Sequence, residues 1–316
     1  MSDESPILRP TIANLVEDYK KHAFHRFALG TQGICERELR RFALFVGRRE
    51  MSGRVIHEFM DERFKKTAGG SGETLMITIQ WVGKFLKWCE EIGEFDHRYS
   101  SLLQRVPVTH KPPLRFSQDQ YERLKEVTKG TPWHYASIMA YRTGARKSDV
   151  FMLKWEHVDF ENLVVRYVPY KSRKTGRYAT CPFQAGGDLH EVLKELNRAR
   201  DPRPHWDQFV CAELAMRYPV HGRGGDVETR DFKKFCAAIG AGRLTFHCLR
   251  HSFISRLVNV GTAFPMACQI TGLAGTEIFL RYAKPDIPTL RAAIEKADAL
   301  DDIPPAGDNI IQLPAA

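Results

Sequence analysis

The sequence contains no Cys-x-x-Cys pair. Its seven cysteines, Cys35, Cys89, Cys181, Cys211, Cys236, Cys248 and Cys268, are odd in number and scattered. That spacing excludes a zinc ribbon and a disulfide framework, and it points to reduced thiols in a cytoplasm. The N-terminal stretch lacks the apolar core of a signal peptide, and no run approaches the ~18 apolar residues needed to cross a bilayer. The expectation is a soluble, cytoplasmic protein with no membrane partner. Internal repeats are absent, and so is any carboxylate cluster of the kind that holds Mg²⁺.

What the chain has in excess is positive charge. The net charge is +9 and the pI about 9.2, while hydrophobic and charged contents of 43% and 27% are ordinary for a folded protein. The excess is unevenly spread. Residues 116–284 carry 26 Lys and Arg against 17 Asp and Glu, and residues 1–115 carry 19 against 15. After residue 284 the balance turns acidic, 2 against 6. Two basic segments favour a polyanionic partner.

At 316 residues there is room for two domains. Thr11 caps a first helical pattern, and others cover about 33–47, 54–66 and 73–92, the last rich in Leu75, Ile79, Val82, Phe85 and Leu86. Four helices without a strand signal make residues 1–103 an all-α N-terminal domain. Basic clusters on it, with Arg40, Arg41 and Lys65 among them, fit a solvated surface or a polyanion contact. Residues 104–116 hold three prolines and read as a stiff linker. Residues 117–300 form the second domain, and 301–316 a flexible tail. Within 117–300, helices are expected at 118–128, 133–142, 145–155, 187–199, 228–239, 246–260, 264–271, 275–283 and 287–299. Two strands, Leu163–Val168 and Arg177–Cys181, flank a basic hairpin, and 205–225 reads as irregular. The fold class is mainly α, with a small antiparallel β-sheet in an α+β catalytic domain.

The chemistry-bearing stretch is Thr245-Phe246-His247-Cys248-Leu249-Arg250-His251-Ser252-Phe253. Thr245 is a helix N-cap type, and Phe246, Leu249, Phe253 and Leu257 follow at helical spacing. His247, Arg250 and His251 then share one edge, an imidazole beside a guanidinium that suits phosphate chemistry. Alone, the cluster also fits a solvated surface. His247 and His251 could form an i,i+4 metal pair, but no third ligand stands nearby and the Glu of a zincin motif is missing. His251 is therefore read as supporting.

Together with Thr143-Gly144-Ala145-Arg146-Lys147-Ser148-Asp149, Lys174-Thr175-Gly176 and Leu280-Arg281-Tyr282-Ala283, this stretch resembles the tyrosine recombinase (phage integrase) family. The similarity spans nearly the whole chain, with the motifs in the family's order. It implies Arg146 and Arg250 as catalytic arginines, Lys174 as the catalytic lysine, His247 as the box histidine and Tyr282 as the nucleophile. Asp149 would support the site, and Lys171 and Arg173, which compete with Lys174, would contact DNA. The resemblance further implies a C-shaped clamp on duplex DNA, two protomers on each site and a homotetramer in the synapse. Accessory DNA-bending proteins are a further class of partner it admits, and no cofactor or metal is called for.

One position departs from the pattern. Nine residues before Tyr282 the family usually has His or Trp, and here stands Leu273. Leucine cannot hydrogen-bond a phosphate oxygen, and losing one such donor costs about 3 kcal/mol of transition-state stabilisation. Thr271 or Thr276 could replace it. Two rival readings remain: a type IB topoisomerase-like nicking enzyme, and a catalytically weak architectural DNA-binding protein of the same fold.

Overall fold

The computed structural model describes residues 10–67, 72–108, 112–200, 208–218, 225–273, 275–280, 282 and 287–301, with only the backbone of Lys174, Thr175, Gly225, Asp226, Glu277, Ile278, Thr289, Lys296, Leu300 and Asp301. Residues 68–71, residues 109–111 of the linker, and 302–316 of the tail lie outside them. The chain divides into two compact units, Met1–Lys111 and Pro112–Ala316.

The first unit is built from α1 (Ile12–Ala23), α2 (Leu29–Val46), α3 (Gly53–Thr67) and α4 (Glu73–Glu91). Thr11 caps α1, its hydroxyl accepting from the Asn14 N–H at 3.3 Å. Helix α2 starts earlier than its apolar pattern, because Gly30 and Gly33 weaken the local signal by about 1 kcal/mol each. The apolar faces meet around Phe42, Phe59 and Phe85, with Phe42 edge-on to Phe59 at 5.0 Å.

The second unit begins with α5 (Gln118–Thr128), where Ser117 and Gln120 form a capping box, and α6 (Pro132–Thr143). The helix expected over 145–155 is only α7 (Lys147–Phe151). It stops because residues 153–155 leave to pair with a distant segment: Leu153 C=O accepts from Val210 N–H at 2.8 Å, and Trp155 N–H donates to Gln208 C=O at 3.0 Å. The small antiparallel sheet is present, in the order β1 (Val158–Asp159), β2 (Val164–Tyr167), β3 (Ala179–Pro182). Arg166 lies opposite Thr180, and Tyr167 opposite Ala179. The β2–β3 connector is a 3-10 turn over Tyr170–Thr175, closed by Gly176 in the left-handed region.

Next come α8 (Asp188–Arg198), α9 (Ala212–Arg217) and α10 (Gly225–Ala238); α9 lies inside the stretch read as irregular. The motif helix is α11 (Phe246–Asn259), followed by α12 (Phe264–Thr271), α13 (Thr276–Leu280) and α14 (Ile287–Asp301). Helix α11 joins two cores. Phe246 and Leu249 enter the main one, where Trp133 is ringed by Phe151, Tyr218, Phe232 and Phe246. Ile254 and Val258 enter a smaller one with Ala267, Leu273, Phe279 and Tyr282.

Candidate active site

Two glycines set the frame. Gly144 ends α6 at φ +66, and a Cβ there would meet Phe253 Cδ1 of α11 at 2.5 Å. Gly272 ends α12 at φ +63, where a Cβ would meet Pro169 Cγ at 2.5 Å. Both positions need glycine for conformation and for close approach. The two helix ends present carbonyls, the negative pole of each helix, to two arginines.

The two arginines share these carbonyls. Arg250, 3% exposed on α11, donates from Nη1 to the carbonyl of Gly144 at 2.5 Å and to that of Thr271 at 2.9 Å. Arg146, at the start of α7, donates from Nη2 to the carbonyl of Gly272 at 3.4 Å. Arg250 thus reaches both helix ends, while Arg146 reaches only the end of α12. Arg250 Nη2 and Arg146 Nη1 are buried and make no hydrogen bond among the described residues. Burial, then the charge of Arg146, pushes the Arg250 guanidinium down to about 10, so it stays charged at neutral pH.

Asp149 is the acidic partner here. Its Oδ2 lies 3.7 Å from Arg146 Nη1, and its Oδ1 accepts the Tyr170 backbone N–H at 2.7 Å. This bond ties the arginine box to the basic connector. In that connector Lys171 and Arg173 are exposed, with Arg173 over the Tyr170 ring at 4.5 Å. The Lys174 side chain lies outside the described residues. Lys147 is held by Glu228 at 2.8 Å.

The two histidines of α11 sit ring against ring, 4.4 Å apart and nearly perpendicular. Desolvation, then the charges of Arg250, Arg146, Lys171 and Lys147, pushes His247 down to about 4. Its side chain reaches solvent, so the four cations are the more durable part of that effect. His251 is half-buried, and desolvation, His247 and Arg250 push it down to about 4 as well. Both rings are neutral at pH 7. Tyr282, 8% exposed, hydrogen-bonds through its hydroxyl to His251 Nδ1.

The structure therefore brings Arg146, Asp149, His247, Arg250, His251, Leu273 and Tyr282 into one region. Leu273 is 3% exposed and packs in the same apolar cluster as Tyr282. Thr271 does not take over its missing donor, because its hydroxyl is spent on the Ala267 carbonyl at 2.6 Å. Sequence reasoning missed the glycine carbonyls and the role of His251 beside Tyr282; the i,i+4 spacing of the histidines was the only local hint of the latter. Arg40, Arg41 and Lys65 lie apart from these residues in sequence, exposed on α2 and α3 of the first unit. A net-positive pocket with spare guanidinium donors and a neutral base beside a phenol suits a phosphodiester attacked by tyrosine.

Residues 115–287 match the profile of the Phage integrase family. A curated relative, Tyrosine recombinase XerA of Pyrococcus furiosus, is 22% identical over 263 residues, covering 78% of this chain and 87% of XerA. An Integrase of Streptomyces ambofaciens is 25% identical over 211 residues, covering 60% of this chain and 54% of that protein. Among solved structures, the Tn1549 transposon integrase in complex with transposon right end DNA superposes with a TM-score of 0.69 at 16% identity, over 92% of this chain and 100% of that one. A lambda integrase tetramer bound to a Holliday junction gives 0.66 at 15% identity, over 89% and 78%. At such identities the structural likeness speaks for the fold.

Proposed function

The chain belongs to the phage integrase family of tyrosine recombinases, and we propose that it cuts and rejoins duplex DNA at a specific site through a 3′-phosphotyrosyl intermediate on Tyr282. The observation that carries this reading is the pair of arginines anchored on helix-end carbonyls, each with a spare buried donor, in the same site as a tyrosine hydrogen-bonded to a neutral histidine.

In this reading Arg146 and Arg250 hold the two non-bridging oxygens of the scissile phosphate and stabilise the charge that builds during in-line displacement. The phenolic oxygen of Tyr282 forms a bond to phosphorus while the bond to the 5′ oxygen breaks. Lys174 gives that oxygen a proton, and His247, neutral and open to solvent, hydrogen-bonds the phosphate. The new ester preserves the bond energy, so neither ATP nor a metal is required. Asp149 acts by holding the connector that carries Lys171, Arg173 and Lys174.

Arg40, Arg41 and Lys65 of the first unit contact DNA phosphates. Two protomers occupy each site and four form the synapse, as in the lambda integrase tetramer on its junction. Helix α14 exposes Ile287, Leu290 and Ile294 and packs on a neighbouring subunit. The setting is the cytoplasm, on the nucleoid; no helix among the described residues is long and apolar enough to cross a membrane. A second reading, a weakly catalytic DNA-binding protein, is favoured by Leu273 alone. The test is to mix the protein with nicked duplexes carrying the DNA that flanks its gene and to seek a covalent adduct on a denaturing gel. A band that disappears in Tyr282→Phe supports the recombinase; salt-dependent binding without any adduct supports the second reading.

A further inference from the structure

We propose that His251, rather than the His247 of the His-x-x-Arg box, takes the phenolic proton of Tyr282 as that residue attacks. This rests on the recombinase reading above and assigns its unassigned proton. The Tyr282 hydroxyl and Nδ1 of His251 share a hydrogen bond, and the two rings lie 5.3 Å apart at 45°. His247 faces solvent and stacks edgewise on His251, one turn earlier on the same helix. Leu273 fills the place where the pattern calls for an imidazole and lies in apolar packing, so it moves no proton. The second imidazole of this site comes from α11 itself.

Helix α11 also supplies the cradle. Ile254 and Val258, one and two turns beyond His251, pack with Phe279, Leu273 and Tyr282. One rigid helix thus fixes both the base and the wall that holds the nucleophile, which keeps donor and acceptor in register. The groups that act on His251 are His247 and Arg250 of its own helix and Tyr282 against it. With its own proton on Nε2, the neutral ring turns the Nδ1 lone pair to the phenol. A phosphodiester on Arg146 and Arg250 offsets their positive field and makes the imidazole more basic when attack occurs.

The step balances. The Tyr282 O–H bond breaks and its proton goes to His251 Nδ1, while the oxygen's electron pair forms the bond to phosphorus. The bond from phosphorus to the 5′ oxygen breaks, its pair stays on that oxygen, and the acid of the site, Lys174 in the reading above, supplies a proton. Rejoining runs the same transfers backwards, returning the His251 proton to the phenol.

The experiment measures single-turnover adduct formation by the full chain on the flanking-DNA duplexes. Unchanged protein forms the adduct and Tyr282→Phe does not; no adduct from unchanged protein overturns the recombinase reading and this assignment with it. His251→Ala is expected to slow adduct formation by about 10²–10⁴-fold with DNA binding kept. His251→Asn retains a hydrogen-bonding group near Nδ1 but cannot accept a proton, and it is expected to stay slow. Between pH 7 and 9 the slow variants should gain about tenfold per pH unit, as phenolate replaces the lost base, while unchanged protein stays flat. A substrate with sulfur in place of the 5′ bridging oxygen needs no acid, so it should restore Lys174→Ala and leave His251→Ala slow. Full activity in His251→Asn overturns the assignment. So does rescue of His251→Ala by the sulfur substrate, or the steep pH slope appearing in His247→Ala instead.

Discussion

An ionic centre of the first unit and one of the second, compared among the described residues, are closed to different degrees. Glu38, 1% exposed on α2, is saturated: Oε1 accepts from Arg41 at 2.8 Å and Arg37 at 3.1 Å, and Oε2 accepts from Thr78 at 2.9 Å with Arg63 at 3.5 Å. This carboxylate links α2, α3 and α4. Arg250, equally buried, is anchored at one end by two carbonyls and leaves a donor over, as does Arg146. A buried charge whose partners all come from its own chain holds helices together. A buried cation and a partly buried one, with spare donors and little counter-charge, are arranged for an anion from outside.

Breaking the closed centre should have the largest effect on folding. Glu38→Gln leaves its arginines without a counter-charge and is expected to destabilise the first unit by about 3–5 kcal/mol in urea unfolding. The rate of adduct formation by the folded fraction should not change; a slowed chemical step would show that the first centre also serves the reaction. Breaking the open centre should do the reverse. Arg146→Ala is expected to slow adduct formation about 10²–10³-fold, with little change in unfolding midpoint or DNA affinity. A large stability loss with normal chemistry would make Arg146 structural.

Asp149 stands between the two types, because it both neutralises Arg146 and accepts the Tyr170 N–H. Asp149→Asn is expected to cost about 1.5–3 kcal/mol of stability in denaturant melts. The comparison is sharpened, with the smallest effects, by acid. Burial alone would raise the Glu38 carboxyl, but the Thr78 and Arg37 hydrogen bonds and the charges of Arg41 and Arg63 outweigh it and hold it below its ordinary value. Its contribution is present above the unfolded carboxylate pKa and is lost as pH falls through the lower folded value. His247 and His251 titrate at about 4 when folded, against about 6.5 unfolded. Between pH 6.5 and 4 the unfolded chain binds more protons, so stability falls on acidification and levels off below 4. Thermal melts should show two windows, the upper one flattened by replacing the histidines and the lower one by Glu38→Gln.

Much of this was written locally in the chain. Apolar spacing gave α4, α5, α11 and α12 close to their ends. The residues of the open centre were named by their motifs alone. What stayed hidden depends on how distant segments meet. Nothing near residue 153 announces its pairing with Val210, so α7 was read too long. The glycine carbonyls are backbone, invisible to any residue-type pattern, and they lie 106 and 126 positions from the arginines they hold. His251 looked like a supporting residue because its contact with Tyr282 spans 31 positions. Thr271 looked free until its hydroxyl was found on the preceding helical turn, a use open to any Thr within a helix.

The central claim, that the open centre presents a phosphodiester to Tyr282, is tested most directly by mapping the covalent bond. The adduct would be digested with nuclease and protease and the modified peptide sequenced by mass spectrometry. The account predicts one peptide, containing Tyr282, joined through its phenolic oxygen to a nucleotide 3′-phosphate. A nucleotide on any other residue, or a 5′ linkage, would contradict it.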